Sequence, residues 1–457
     1  MTFLPNSAHA RDIASIVHPQ TDVKRHEDVG PTIMTSGEGI YVTDDAGNKL
    51  IEGVAGLWCA SLGFGVERLA QVAYEAMKDI GYYHSYRHNS NVPSIDLAEK
   101  LLSIAPVPMS KVLFQCSGSE ANDTAIKLVW YYHNAIGKPE KHKIIGRRNG
   151  YHGNTAAAVS LSGKPDMHRD FNLPFEPFRH TDFPYYYRCH EDGESEEDFA
   201  TRMADSLEAM ILEEGPETVA AFFAEPIMGA GGAIVPPSTY FDKVQALLEK
   251  YEILFVADEV ICGFGRTGNM WGSQTCNLQP DMISCAKALS AAHQPISALM
   301  INEKVYQAMR VESDKVGTFA HGYTFAGHPV AAAVAREVLQ IYEEMDIVNH
   351  VRRVGPHLGE RLIHLADHPL IGDIDGRGLL WGLEVVEDKE TRALFDPARK
   401  IGQLIGDHAR DNGLIVRVIG DRMVFAPPLI ITEDQVNDMV GALERALDMA
   451  WREISAP

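Results

Sequence analysis

Two stretches carry residues able to do chemistry together. Residues 256–268 read VADEVICGFGRTG, an apolar run that delivers Asp258 and Glu259 to a Gly-rich loop holding Arg266. Residues 280–290 read PDMISCAKALS, a shorter apolar run that ends on Lys287. In an open α/β sheet, ligands sit outside the carboxyl ends of the strands, so an acid and an amine at two strand ends imply one shared crevice. An amine stripped of water there is easier to deprotonate and attacks an aldehyde, which points to Schiff-base chemistry. The plainer reading is a strand-end surface pair at Asp258 and Glu259 with a solvated Lys287, since lysines are mostly exposed.

Schiff-base chemistry on pyridoxal phosphate needs an acid against the ring nitrogen, an anion site for the phosphate and an aromatic over the ring. Asp258 is the candidate acid. Residues 111–116 (KVLFQC) read as a strand running into Ser117, Gly118 and Ser119, which open a helix. Free backbone N–H groups, hydroxyls and the positive end of the helix dipole suit a phosphate there, although a Ser-rich helix start is also an ordinary N-cap. Gly150-Tyr151-His152-Gly153 places Tyr151 on a Gly-flanked turn as the candidate to stack. Trp58 on the Gly-rich loop 53–65 is either a pocket wall or plain core. The run 219–224 ends on Glu225-Pro226, before a loop of little bulk that contains Ala230. Several site types falling at strand carboxyl ends favour a real site over the plainer reading.

The elements that must position these groups read as strands at 111–116, 143–146, 219–224, 253–257, 282–286 and 296–301, separated by helices. That alternation predicts a mainly parallel sheet. Residues 1 to about 35 are polar and poorly periodic, an arm that wraps something else. Residues 40–51 predict a β-hairpin turning at 45–48, and 68–80 and 93–104 carry helical spacing around an aromatic segment that includes Tyr86. His321 to Pro329 is turn-rich and starts an Ala-rich helix over 329–345. Beyond it, 377–386 and 414–426 read as strands, the second turning at Gly420-Asp421. A last helix over 433–454 opens on the capping box Thr432-x-x-Gln435.

With 457 residues, two or three lobes are expected. The net charge of -22, with no basic block, excludes a nucleic-acid partner. No apolar run is long enough to cross a bilayer and the start lacks a signal-peptide pattern, so no membrane association is expected. Six cysteines lie scattered without a CxxC pair, which fits reduced thiols in the cytoplasm. No His/Cys/acid spacing matches a metal site, and His152, His321 and His328 fall on turns.

The string Asp258-Glu259-Val260-x-x-Gly263-x-Gly265-Arg266-x-Gly268, with Pro280-Asp281 and Lys287, resembles the signature of class III aminotransferases of pyridoxal-phosphate fold type I. The resemblance extends through Gly118-Ser119, Gly150 to Gly153, Glu225-Pro226, Gly322-x-Thr324-x-x-Gly327-His328-Pro329, Arg377-Gly378 and Ala426 to Leu429. Gly56-Leu57-Trp58-Cys59 and Arg417-x-x-Gly420-Asp421 are similar to the ω-transaminases of the amine:pyruvate or β-alanine:pyruvate type.

The family implies an α/β, aspartate-aminotransferase-like fold. Its large domain, over 71–330, has a mainly parallel central sheet. A smaller α+β domain is made from both chain ends, with the arm and its first part in 1–70 and the remainder in 331–457. By the resemblance, Lys287 is the Schiff-base lysine and proton shuttle, and Asp258 holds the pyridinium. Ser117, Gly118 and Ser119 grip the phosphate, completed by Thr324 of the partner subunit beside Tyr323, so a homodimer with shared sites is expected. Tyr151, His152, Val260 and Glu225 surround the ring. Trp58, Tyr86, Tyr151, Ala230 and Arg417 would bind substrate, Arg417 as a mobile arginine that pairs with a keto acid's carboxylate. The implied reaction passes an amino group from an amine or ω-amino acid to a keto acid, pyruvate being the expected acceptor. An aminomutase or decarboxylase on the same fold is the alternative. One departure stands out: the family usually continues after the lysine with a Gly-rich turn, whereas this chain has Ala288 and then Ser290 to Ser297 (SAAHQPIS), which puts the shape of the pocket in question.

Overall fold

The runs 219–224, 254–258, 282–285 and 297–301 are buried at every position, as strands covered on both faces must be. They form the middle of a seven-stranded sheet in the computed structural model, which describes residues 4–456. In chain order the strands are β1 (Met34–Glu38), β2 (Tyr41–Asp44), β3 (Lys49–Glu52), β4 (Lys111–Gln115), β5 (Lys143–Arg147), β6 (Phe178–Thr181), β7 (Val219–Ala224), β8 (Leu254–Asp258), β9 (Met282–Cys285) and β10 (Ser297–Ile301), followed by β11 (Ile371–Arg377), β12 (Leu380–Val385), β13 (Leu414–Ile415), β14 (Arg417–Ile419) and β15 (Arg422–Phe425). The large sheet has the order β4-β10-β9-β8-β7-β5-β6.

Its polarity decides where a site can be. β10 runs antiparallel to both β4 and β9, while β9, β8, β7, β5 and β6 pair in parallel. Every strand except β10 therefore points the same way, and all their carboxyl ends reach one edge. The expectation of a mainly parallel sheet holds. β6 went unread because its sequence, FRHT, has no apolar pattern.

Side chains alternate to the two faces of this sheet. Ala221, Phe223, Leu254, Val256 and Met282 pack against Ala125, Ile126, Leu128 and Val129 of the helix Gly118–Ala135. Phe222, Phe255, Ala257 and Ile283 pack with Phe199, Met203 and Leu207 of Glu196–Glu214 and with Phe241 and Val244 of Tyr240–Lys250. Burial on both faces is what makes the sheet a rigid platform.

Two smaller four-stranded sheets lie outside it. β1-β2-β3-β13 joins the expected hairpin to a strand from the far end of the chain, with β13 parallel to β3. β11-β12-β15-β14 is antiparallel throughout. It corrects two expectations: 377–386 is not one strand but the turn and second arm of the β11/β12 hairpin, and 414–426 is divided among β13, β14 and β15 over two sheets. β11 went unread because Asp373 and Asp375 interrupt its apolar pattern. Asp373 is instead paired: Tyr185 Oη donates to its Oδ2 at 3.0 Å, and Arg422 Nη1 lies 3.4 Å from the same oxygen and 3.1 Å from Glu384 Oε2. Buried charge needs such partners.

The arm 1–35 holds two short helices, Ala8–Ser15 and Val23–Val29, neither of which buries a residue. The Ala-rich helix runs Pro329–Glu344, and the final helix Glu433–Ile454 starts on the expected capping box. Among the described residues, no helix is long and apolar enough to cross a membrane.

Candidate active site

Five strand ends meet at the common edge of the large sheet. β4 leads to Ser117 and Gly118, β5 to Tyr151 and His152, β7 to Glu225, β8 ends on Asp258, and β9 leads to Lys287. They enclose a cavity of about 330 Å³ lined by Ser117, Gly118, Ser119, Tyr151, His152, Glu225, Asp258, Val260 and Lys287. Nine residues singled out from sequence are thus brought together. Cys59, Asn122, Ile261, Ser290, Gln294 and Ile296 also line it and were not foreseen as site residues.

Asp258 is held by three donors. Asn122 Nδ2 and His152 Nδ1 both lie 2.8 Å from Oδ2, and Val260 N donates to Oδ1 at 3.1 Å. A carboxylate offers about four lone-pair positions, so Oδ1 keeps the capacity to accept from a ring N–H. Asn122 also donates to the His152 carbonyl at 2.7 Å, tying acid, histidine and helix into one unit. Its Oδ1 and His152 Nε2 are buried with no hydrogen-bond partner among the described residues.

Lys287 lies beyond the tip of β9 rather than on it. Its backbone is left-handed, with φ 49°, at the start of the 3₁₀ turn Lys287–Leu289. That conformation is costly for a residue with a Cβ and persists only where surroundings enforce it. Tyr342 Oη donates to the Ala288 carbonyl at 2.7 Å, and Ser290 Oγ to the Gln294 carbonyl at 2.6 Å, fixing the turn. Loss of water pushes the Lys287 pKa below the usual lysine range, opposed by the nearby Asp258 and Glu225 charges. The unusual segment after the lysine forms a wall of the cavity through Ser290, Ala292, Gln294, Pro295 and Ile296.

The start of the helix Gly118–Ala135 offers donors that could hold an anion. Ser117 is its N-cap, and its Oγ accepts from Glu120 N at 3.2 Å. Ser297 Oγ donates to the Ser117 carbonyl at 2.7 Å, anchoring the loop to β10. A Cβ on Gly118 would meet both Val260 methyls at 3.0 Å, so only glycine lets the helix start and Val260 line one cavity. Gly153 has φ 136°, and a Cβ there would come within 2.6 Å of Ser119 Oγ, which accepts from Asn154 N at 3.0 Å. Two hydroxyls and the unpaired first N–H groups of a long helix are the donor set a phosphate needs.

Glu225 places Tyr151. Its Oε1 accepts from Tyr151 N at 3.2 Å and its Oε2 from Gly229 N at 2.8 Å, while Arg147 Nη2 donates to the Glu225 carbonyl at 2.6 Å. Burial raises the pKa of both Glu225 and the Tyr151 phenol. Glu259, the second acid of the motif, points elsewhere: it accepts from Gly272 N at 2.9 Å and from Ser273 N and Oγ, and holds a turn.

The remaining candidates do not line this cavity. Trp58 is buried in a separate apolar cluster with Ile227, Ala233 and Ile261, against which Ala230 packs. Ile261 belongs to both the cluster and the cavity wall and so connects them. The Arg417 guanidinium lies 5.9 Å from the centre of the Trp58 ring, with its Nε buried and unpaired among the described residues. Lys164, missed in the sequence, donates to Asn149 Oδ1 at 3.1 Å; burial lowers its pKa, with Glu225 opposing and Arg417 reinforcing the shift. Tyr86, Tyr323 and Thr324 are not among the residues that line the cavity. Tyr86 lines an open groove of about 1480 Å³ with His321 and Gly322, Tyr323 Oη reaches the Glu120 carbonyl at 3.4 Å, and Thr324 is exposed with its carbonyl accepting from Tyr82 Oη at 2.8 Å. Within one chain, then, neither tyrosine nor Thr324 reaches the cavity.

The family described as Aminotransferase class-III matches residues 23–447. The chain is similar to gamma aminobutyrate transaminase 3, chloroplastic, of Solanum lycopersicum, at 46% identity over 452 residues, which are 98% of this chain and 87% of that protein. It is similar in structure to the omega transaminase from Pseudomonas jessenii in complex with PMP, with TM-score 0.97 and 49% identity over 98% of this chain and 100% of that one. A solved transaminase with L-ala has TM-score 0.91 and 51% identity over 93% of this chain and 100% of that chain.

Proposed function

This chain belongs to the class-III aminotransferase family, and from that premise we propose an ω-transaminase that takes an amino group from an amine or an ω-amino acid such as γ-aminobutyrate and passes it to pyruvate. It is an enzyme of amino transfer, its substrates are an amine and a keto acid, and its cofactor is pyridoxal 5'-phosphate. One observation carries the reading: the Lys287 amine and the Asp258 carboxylate share a single cavity with the start of a long helix.

The cofactor supplies an aldehyde that takes up an amine and a protonated ring that withdraws electrons. Asp258 Oδ1, with its spare lone pair, would hold the ring N–H. Ser117, Gly118 and Ser119 would bind the phosphate through hydroxyls and backbone N–H groups. Tyr151 would cover one face of the ring and Val260 the other, with His152 and Glu225 fixing Asp258 and Tyr151. Lys287 Nζ, easier to deprotonate than an ordinary lysine, would take a proton from the substrate's amine-bearing carbon and return it two bonds further on, to the cofactor's aldehyde carbon. Arg417 would pair with the acceptor's carboxylate, its planar fork making two hydrogen bonds, and rest over Trp58 when an uncharged amine is bound. Ala230 and Trp58 would shape the donor side.

The position of Thr324 supports a homodimer. It is exposed and outside the lining of its own chain's cavity, beside the open groove that Tyr86 lines. We read that groove as the seat of a second copy, with Tyr86, Tyr323 and Thr324 of the partner subunit completing each site. The separate sheets support the division at 1–70, 71–330 and 331–457, and six free cysteines support a cytoplasmic location.

Incubating the holoenzyme with γ-aminobutyrate or a simple primary amine and pyruvate tests the reading. One alanine should form for each donor consumed. Conversion of many more donor molecules than there are active sites, with no acceptor present, would contradict it and point to an aminomutase or decarboxylase.

A further inference from the structure

The amino-terminal arm poses its own question. Its helices Ala8–Ser15 and Val23–Val29 are short and bury no residue, so hydrophobic packing does not account for their order. What joins them is polar. His18 Nε2 and His26 Nε2 lie 2.9 and 3.0 Å from the same oxygen, Asp12 Oδ1. The two imidazoles are 4.2 Å apart between ring centres. All three side chains are shielded, at 16% exposure for Asp12, 32% for His18 and 11% for His26. Their donor atoms all fall within 4.8 Å of one another.

We propose that Asp12, His18 and His26 form a binding site for a divalent transition-metal ion, Zn²⁺ best fitting the donor set, that clips the two arm helices together. Two imidazole nitrogens and a carboxylate oxygen are the ligands Zn²⁺ takes in sites that leave a fourth position to water. Ligands about 2.1 Å from a tetrahedral zinc stand about 3.4 Å apart, so the present spacing needs only a few tenths of an ångström of opening. Without a cation, both imidazoles must donate to one oxygen; with one, all three groups act as the Lewis bases they are when His is neutral. The net charge of -22 adds a general attraction for cations. Spacings of six and fourteen residues across two helices follow no short metal motif, and only the fold brings the three together.

The test uses tag-free holoenzyme, stripped with a chelator, dialysed and titrated with Zn²⁺ by calorimetry, beside the variants His26→Ala and His18→Gln. The wild type should take up one ion per chain, and each variant should bind it at least about tenfold more weakly. Zn²⁺ should also slow tryptic cleavage at Arg11, Lys24 and Arg25 in the wild type but not in the variants. Normal amino-transfer rates in the variants show that they fold. Equal zinc affinity in wild type and variants, or no uptake by the wild type, would overturn the site and leave a hydrogen-bonded cluster only.

Discussion

Among the described residues the two oxygens of Asp258 are loaded unequally: Oδ2 faces Asn122 and His152, Oδ1 only the Val260 N–H. The acid is therefore locked in place by one oxygen and left able to act through the other. Arg417 is the opposite kind of residue, half-buried, with an Nε unpaired among the described residues and a ring to rest on. Replacing it with alanine should raise the KM for pyruvate about 10- to 100-fold, the worth of a charge-assisted pair, and leave the KM of an uncharged amine within about threefold. Steady-state kinetics on the two substrates checks this, and equal effects on both would remove the carboxylate role. At this scale much was legible, because Asp258 ends a strand and Lys287, Ser117 to Ser119 and Tyr151 each follow one within a few residues. Asn122 was not: it lies one turn inside a helix, and its partner Asp258 is 136 residues away. Cys59 was read only as part of the Gly56–Cys59 resemblance, and Gln294 only as part of the departure after Lys287 that put the pocket's shape in question, since it takes the closed turn to make that segment a wall.

Among the elements, the strands that build the site were readable as apolar runs, and the ones that failed share a cause. β6 and β11 carry polar or charged residues that fold into ion pairs and hydrogen bonds, so their burial leaves no periodic trace. β3 holds a similar group with a measurable consequence. Burial pushes the Glu52 carboxyl up to about 7, even though Val54 N donates to its Oε1 at 3.0 Å. A raised carboxyl pKa means that the folded chain binds the proton more tightly than the unfolded chain, where the value is about 4.3. The stabilisation is thus complete below that unfolded value and lost as pH rises through about 7. Between about pH 5 and about pH 8 the wild type should lose at most about 2.5 kcal/mol relative to Glu52→Gln, whose amide oxygen still accepts from Val54. Urea unfolding at both pH values measures the difference. An identical pH dependence in the two proteins would contradict it.

The whole molecule is held together by pairings that span the chain, as where β13 lies beside β3, and two-residue strands of that kind leave nothing to read locally. A second copy of the chain adds another level. If each site takes Lys287 from one subunit and Thr324 from its partner, then Lys287→Ala and Thr324→Glu homodimers are both inactive, the latter because a carboxylate faces the phosphate. Co-expressed in equal amounts, they should form mixed dimers with one intact site each and recover about a quarter of wild-type activity. A mixture as inactive as its components would place Thr324 outside the partner's site. The expectations for Arg417, Lys287 and Thr324 presuppose an aldehyde cofactor joined to one particular amine. Treating the holoenzyme with borohydride and mapping its peptides by mass spectrometry tests that directly. The account predicts the cofactor fixed as a secondary amine on the peptide that holds Lys287; an unmodified Lys287, or the label on any other lysine, would contradict it.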